Sequence, residues 1–192
     1  SLGDSVTIGV LMRYGQGQSL EGERLPENER FVLGGNKGVR GYRDDGVFQY
    51  DTNGCALLLD SNDANGSTIA LNENCQPTNA VADTQSLRPV FGGDLLVLAS
   101  LELRFPVLRQ SGLWGTAFYD AGALSEDLDT LNAQSFRQSV GFGIRYLIGN
   151  AIPLRLDYGI KLDRRCERYD SQGKCEQDDS AGNLHFGILY TF

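Results

Sequence analysis

The chain has 192 residues, a length for one domain or for part of a larger one. It carries 25 acidic against 17 basic side chains, a formal net charge of -8, which excludes nucleic acid as a partner because that would need a basic face. No run of eighteen or more apolar residues occurs, so a membrane-spanning helix is excluded, but a membrane β-barrel is not, because its alternating strands average out on hydropathy scales.

The opening SLGDSVTIGV lacks the basic and apolar regions of a signal peptide. A strand-like pattern begins almost at once, so the chain is expected to be a fragment of a longer polypeptide. VTIGVLMRY sets Val6, Ile8, Val10, Met12 and Tyr14 on one side. After a long polar stretch from Gly15 to Gly93, DLLVLASLELRF sets Leu95, Val97, Ala99, Leu101, Leu103 and Phe105 against Glu102 and Arg104. LWGTAFYDAG is weaker, with Leu113, Gly115, Ala117 and Tyr119 against Trp114, Thr116, Phe118 and Asp120. SVGFGIRYLI alternates Val140, Phe142, Ile144 and Tyr146 with Ser139, Gly141, Gly143 and Arg145. IPLRLDYGIKL opposes Arg155, Asp157, Gly159 and Lys161 to an apolar row from Ile152 to Leu162. LHFGILYTF opposes His185, Gly187, Leu189 and Thr191 to Leu184, Phe186, Ile188, Tyr190 and Phe192.

A period of two sustained over about ten residues means strands. The reading is all-β, with about six strands and no helix. PVLRQSG and GNA are short connections, whereas those spanning 15–93, 122–135 and 163–183 are long and polar. Short turns at one end and long loops at the other fit an antiparallel transmembrane barrel. Lys or Arg facing lipid costs roughly 2–4 kcal/mol at the bilayer midplane, and the apolar rows carry neither. The opposite rows hold Arg, Asp, Lys, Glu and Gly, which suits a wet lumen. The smallest such barrels have about eight strands, so further strands or another chain are needed for closure. A sheet of six alone is expected to aggregate or dimerise.

Within the long stretch, FVLGGNKGVRGYRDDG (31–46) is rich in glycine around Lys37 and Arg40. A phosphate loop needs G-x-x-x-x-G-K-[ST] between a strand and a helix. Here Gly38 follows Lys37 and no helix follows, so neither nucleotide nor other cofactor is expected. DSNDANGSTIALNEN resembles a calcium loop but has Ser61 at the first and Asn72 at the twelfth position. It reads as a solvated surface loop with no metal. Cys55, Cys75, Cys166 and Cys175 lack the tight pairs that zinc wants. Four cysteines allow three connectivities, and the two local pairs, Cys55–Cys75 and Cys166–Cys175, are favoured because each closes a short loop. His185, the single histidine, is expected to be a satisfied lumenal side chain. No nucleophile–base–acid set is visible, so an enzyme is not expected.

Several segments resemble one family. RFVLGGNKGVRGY is similar to the long-loop motif of the outer-membrane assembly and translocation superfamily of bacterial surface antigens, which includes BamA, TamA and the two-partner-secretion transporters. LASLELRFPV, AFYDAG and GIRYLIGNAIPLRLDYGIKLDR resemble the strands after that loop, in the same order. HFGILYTF resembles the outer-membrane β-signal through His185, Gly187, Tyr190 and the terminal Phe192. The resemblance implies that residues 1–192 are the C-terminal six strands of a sixteen-stranded barrel, with periplasmic POTRA domains upstream and an extracellular loop over 16–93. It implies that Val39, Arg40, Gly41 and Tyr42 form a loop tip folded into the lumen, where Arg40 meets Glu102 and Asp120. The implied function is assembly or insertion of unfolded outer-membrane proteins through a seam beside the last strand, in the bacterial outer membrane. Lipid or lipopolysaccharide would surround it, and periplasmic or lipoprotein subunits would accompany it. Two relatives of the pattern remain as alternatives: a two-partner-secretion pore, and the barrel anchor of a patatin-like lipase whose catalytic domain lies upstream.

Overall fold

The computed structural model describes residues 6–19, 25–51, 53, 55–60, 68–72, 75–78, 87–108, 111–148, 152–164, 166–169, 175–178 and 180–188; for 60, 87, 166–169 and 175–178 it describes the backbone. Its strands are β1 Thr7–Gln16, β2 Leu58–Asp60, β3 Thr68–Ile69, β4 Leu87–Pro89, β5 Leu95–Leu108, β6 Leu113–Ser125, β7 Arg137–Ile148, β8 Ile152–Lys161, β9 Cys166–Tyr169, β10 Cys175–Asp178 and β11 Gly182–Ile188. Among the described residues the helical pieces are two 3-10 turns, Gly35–Lys37 and Ala133–Ser135.

Six strands form one antiparallel sheet in the order β1-β5-β6-β7-β8-β11. Each is followed in the sheet by the next long alternating segment of the sequence, so the connections are simple returns. The insertions β3-β2-β4 and β9-β10 form separate small sheets. With 14, 13 and 12 residues, β5, β6 and β7 are longer than the ~9–11 residues a tilted strand needs to cross a bilayer.

Alternation then sorts the side chains. One face bears Ile8, Met12, Phe142, Ile144, Leu184 and Phe186, with Met12 79% and Phe142 61% exposed. Such a continuous apolar face has lipid as its natural solvent. The other face carries Glu102, Asp120, Arg155, Asp157 and His185, all buried. Together these features make the sheet the wall of an antiparallel transmembrane β-barrel.

What buries the charged face is the connection between β1 and β5. Gly17 N–H donates to Asp94 O at 2.7 Å, and Phe31 and Gly93 exchange two 2.9 Å backbone bonds. The segment then crosses the sheet and returns, closing at Leu33 and Val47 through Val47 N–H to Leu33 O at 3.0 Å. Leu33, Val39, Tyr42 and Val47 pack on Leu96, Leu98 and Leu124. Each such burial contributes about 1.5–3 kcal/mol, so an apolar base holds this loop beside its charged tip. Leu95, expected among the lipid-facing residues, is instead fully buried. The chain after β1 bonds Asp94 at Gly17 and again at Leu25, so it returns over this end of β5.

Cys55 and Cys75 are joined in a disulfide. Cys166 and Cys175 lie in the paired strands β9 and β10, and their side chains fall outside the description, as do Tyr190 and Phe192. Most of the calcium-like stretch is also outside it. Its described Asn72 is used in a turn, with Oδ1 accepting from Gln76 N–H at 3.0 Å.

Candidate functional site

Antiparallel pairing lines up the inward residues in rows. Ser100 pairs with Asp120 and Asp120 with Ser139, while the next row runs Glu102, Phe118, Gly141, Gly159 and Asn183. A third row brings Gly143, Asp157 and His185 together. Three carboxylates from β5, β6 and β8 thereby face one point, and Arg40 fills it.

Arg40 is 3% exposed. Its Nε donates to Asp120 Oδ2 at 2.7 Å and its Nη2 to Asp120 Oδ1 at 2.8 Å, the forked geometry a planar guanidinium makes with a carboxylate. Nη2 also reaches Ser100 Oγ at 3.1 Å, and Nη1 donates to Glu102 Oε2 at 2.6 Å and Asp157 Oδ2 at 3.4 Å. All five guanidinium hydrogens are thus engaged. Asp120 is saturated too: it accepts in addition from Arg40 N–H at 3.0 Å and from Ser100 Oγ at 2.6 Å. The guanidinium lies over the Phe118 ring, 3.5 Å from its centroid. Burial works against the charge of Arg40, but the bonds and charge of Asp120 and Glu102 outweigh it and hold the group protonated well above its ordinary range.

The carboxylates differ in their other partners. Glu102 also accepts from Arg104 Nε at 2.8 Å and Arg145 Nη2 at 3.2 Å. Asp157 also pairs with Arg145 and Arg155. For Asp120, Arg40 is the single ion-pair partner among the described residues.

Next to Arg40, Gly41 adopts φ 107° and lies flat on Gly159. A Cβ on Gly159 would stand 2.4 Å from Gly41 N and 2.5 Å from Arg40 C, so backbone meets backbone here. Gly41 N–H donates to His185 Nε2 at 3.3 Å, and Asn183 Nδ2 donates to Gly41 O at 2.6 Å. Tyr42 OH donates to Asp163 O at 3.1 Å, and Lys161 Nζ stands 4.7 Å from the centre of its ring.

The structure therefore brings Arg40, Gly41, Tyr42, Glu102, Asp120 and His185 into one site, with Val39 in the adjoining apolar base. Gly187 lies on the same face, under Asn36. Asp157, Ser100, Arg145, Phe118, Gly159 and Asn183 were not singled out from sequence as its members. Parity had already set Asp157, Arg145, Phe118 and Gly159 on the inward face; strand register was the missing signal.

A strand wall with a lipid-facing side and an ion-paired loop seated on the other defines a β-barrel membrane protein. The Omp85 superfamily domain matches residues 1–192, and the chain belongs to that superfamily. Its fold is similar to the crystal structure of BamA from Haemophilus ducreyi lacking POTRA domains 1-3, with a TM-score of 0.56 and 18% identity. That likeness covers 96% of this chain, which spans about a third (31%) of the other. No curated protein matches the sequence.

Proposed function

We propose that the chain is the C-terminal part of an outer-membrane protein assembly factor, inserting unfolded clients through a seam beside β11. The observation that carries this reading is the tip around Arg40, tied to β5, β6, β8 and β11 at once. Among the described strands β11 has one neighbour, β8, and an open strand edge is a template for another strand. Strand exchange requires no nucleotide and no catalytic group.

In this reading the connection over 16–93 stands on the extracellular side. The short turns face the periplasm, where accessory or lipoprotein subunits would bind, and lipid or lipopolysaccharide contacts the apolar face. The test places the full-length protein in vesicles of outer-membrane lipid and adds an unfolded outer-membrane protein. Its folding is followed by the heat-dependent shift in electrophoretic mobility. Insertion at least tenfold faster than into empty vesicles is expected, and equal rates would sink the proposal. Export of a soluble partner without insertion would instead identify a secretion pore.

A further inference from the structure

We propose that Asn183 and His185 are positioning residues that couple the seated loop to the last strand, so that undocking Arg40 and releasing β11 are one event. The inference rests on the seam reading above for its functional meaning, but its geometry is independent of any client.

Among the described strands the sheet holds β11 through β8, in register from Gly182 opposite Ile160 to Ile188 opposite Leu154. The loop tip supplies a second hold. Asn183 and His185 stand two residues apart and so face inward together. They grip the two sides of one residue, Asn183 taking Gly41 O and His185 taking Gly41 N–H. Gly187, the next inward position, faces Asn36: a Cβ there would lie 3.0 Å from Asn36 Nδ2. Three successive inward positions of β11 thus meet the segment 36–41.

Gly41 is fixed by its neighbour, because Arg40 N–H and guanidinium are both bound to Asp120 on β6. A shift of the tip therefore breaks the bonds to β11 with those to β6. Coupling between two sites is reciprocal, so freeing the strand must also loosen the tip.

Amide hydrogen exchange of the full-length protein in detergent tests this. Arg40→Ala should speed exchange at least tenfold across 182–188, and N183A combined with H185L should do the same across 36–42. Changing His185→Gln alone, which keeps an acceptor for Gly41 N–H, should leave both segments protected. The coupling is refuted if R40A frees the tip while β11 stays protected, or if the double variant frees β11 while the tip does not change. Should R40A fail to fold, the double variant and H185Q decide alone. Client insertion by the same variants is measured separately, so failure of the coupling and failure of the assembly reading are distinguishable.

Discussion

Removing Arg40 leaves Asp120 buried without an ion-pair partner among the described residues, whereas Glu102 keeps Arg104 and Arg145, and Asp157 keeps Arg145 and Arg155. Breaking one side of a buried pair costs about 3–5 kcal/mol, mostly through the charge left behind. R40A should therefore destabilise the barrel by an amount near that range in urea unfolding in detergent. R40A/D120N should recover part of the loss because it neutralises the stranded carboxylate, and R40A/E102Q should recover none. Equal recovery by both would mean that the acids share one pool of arginines. From sequence, Arg40, Glu102 and Asp120 were legible through their resemblance to a loop motif and its acids. Ser100 and Asp157 were not, because nothing in a linear pattern tells how far β8 slides against β7 or where a distant loop comes to rest.

At the scale of the strand, faces were readable and contacts were not. Side-chain direction repeats every two residues, so one correct apolar position fixes all the others, and a one-residue slip would invert the strand. That is why Phe142 and Ile144 face outward and Arg155 and Asp157 inward, as alternation requires. Leu95 departs from the rule at a strand end to which the chain comes back, Leu25 bonding the adjacent Asp94, and alternation alone cannot foresee such a return. Phe142→Arg should cost roughly 2–4 kcal/mol if it lies near the midplane, read as a lower unfolding midpoint in detergent. No loss would mean that this face does not meet lipid. Gly159→Ala places a methyl against backbone that cannot swing aside. It should expose 34–46 to protease, and a resistant loop would refute the close contact as its reason.

For the molecule as a whole, the long connection is held in two places. Near the sheet it has the apolar base and the ionic tip; farther along the chain, the Cys55–Cys75 bond closes 20 residues of sequence. A cross-link over a loop of that length contributes about 3 kcal/mol on chain-entropy grounds. C55S/C75S should therefore loosen 68–78 in hydrogen exchange while 36–42 stays protected, and loss of both together would show one cooperative unit. A further consequence follows from the guanidinium that has spent every hydrogen. A plug with no spare contact to trade cannot creep along its socket, since each small step forfeits several bonds at once. Its ensemble should be bimodal, so that a spin label at Asp45 reports two discrete distances to the wall and no continuum between them.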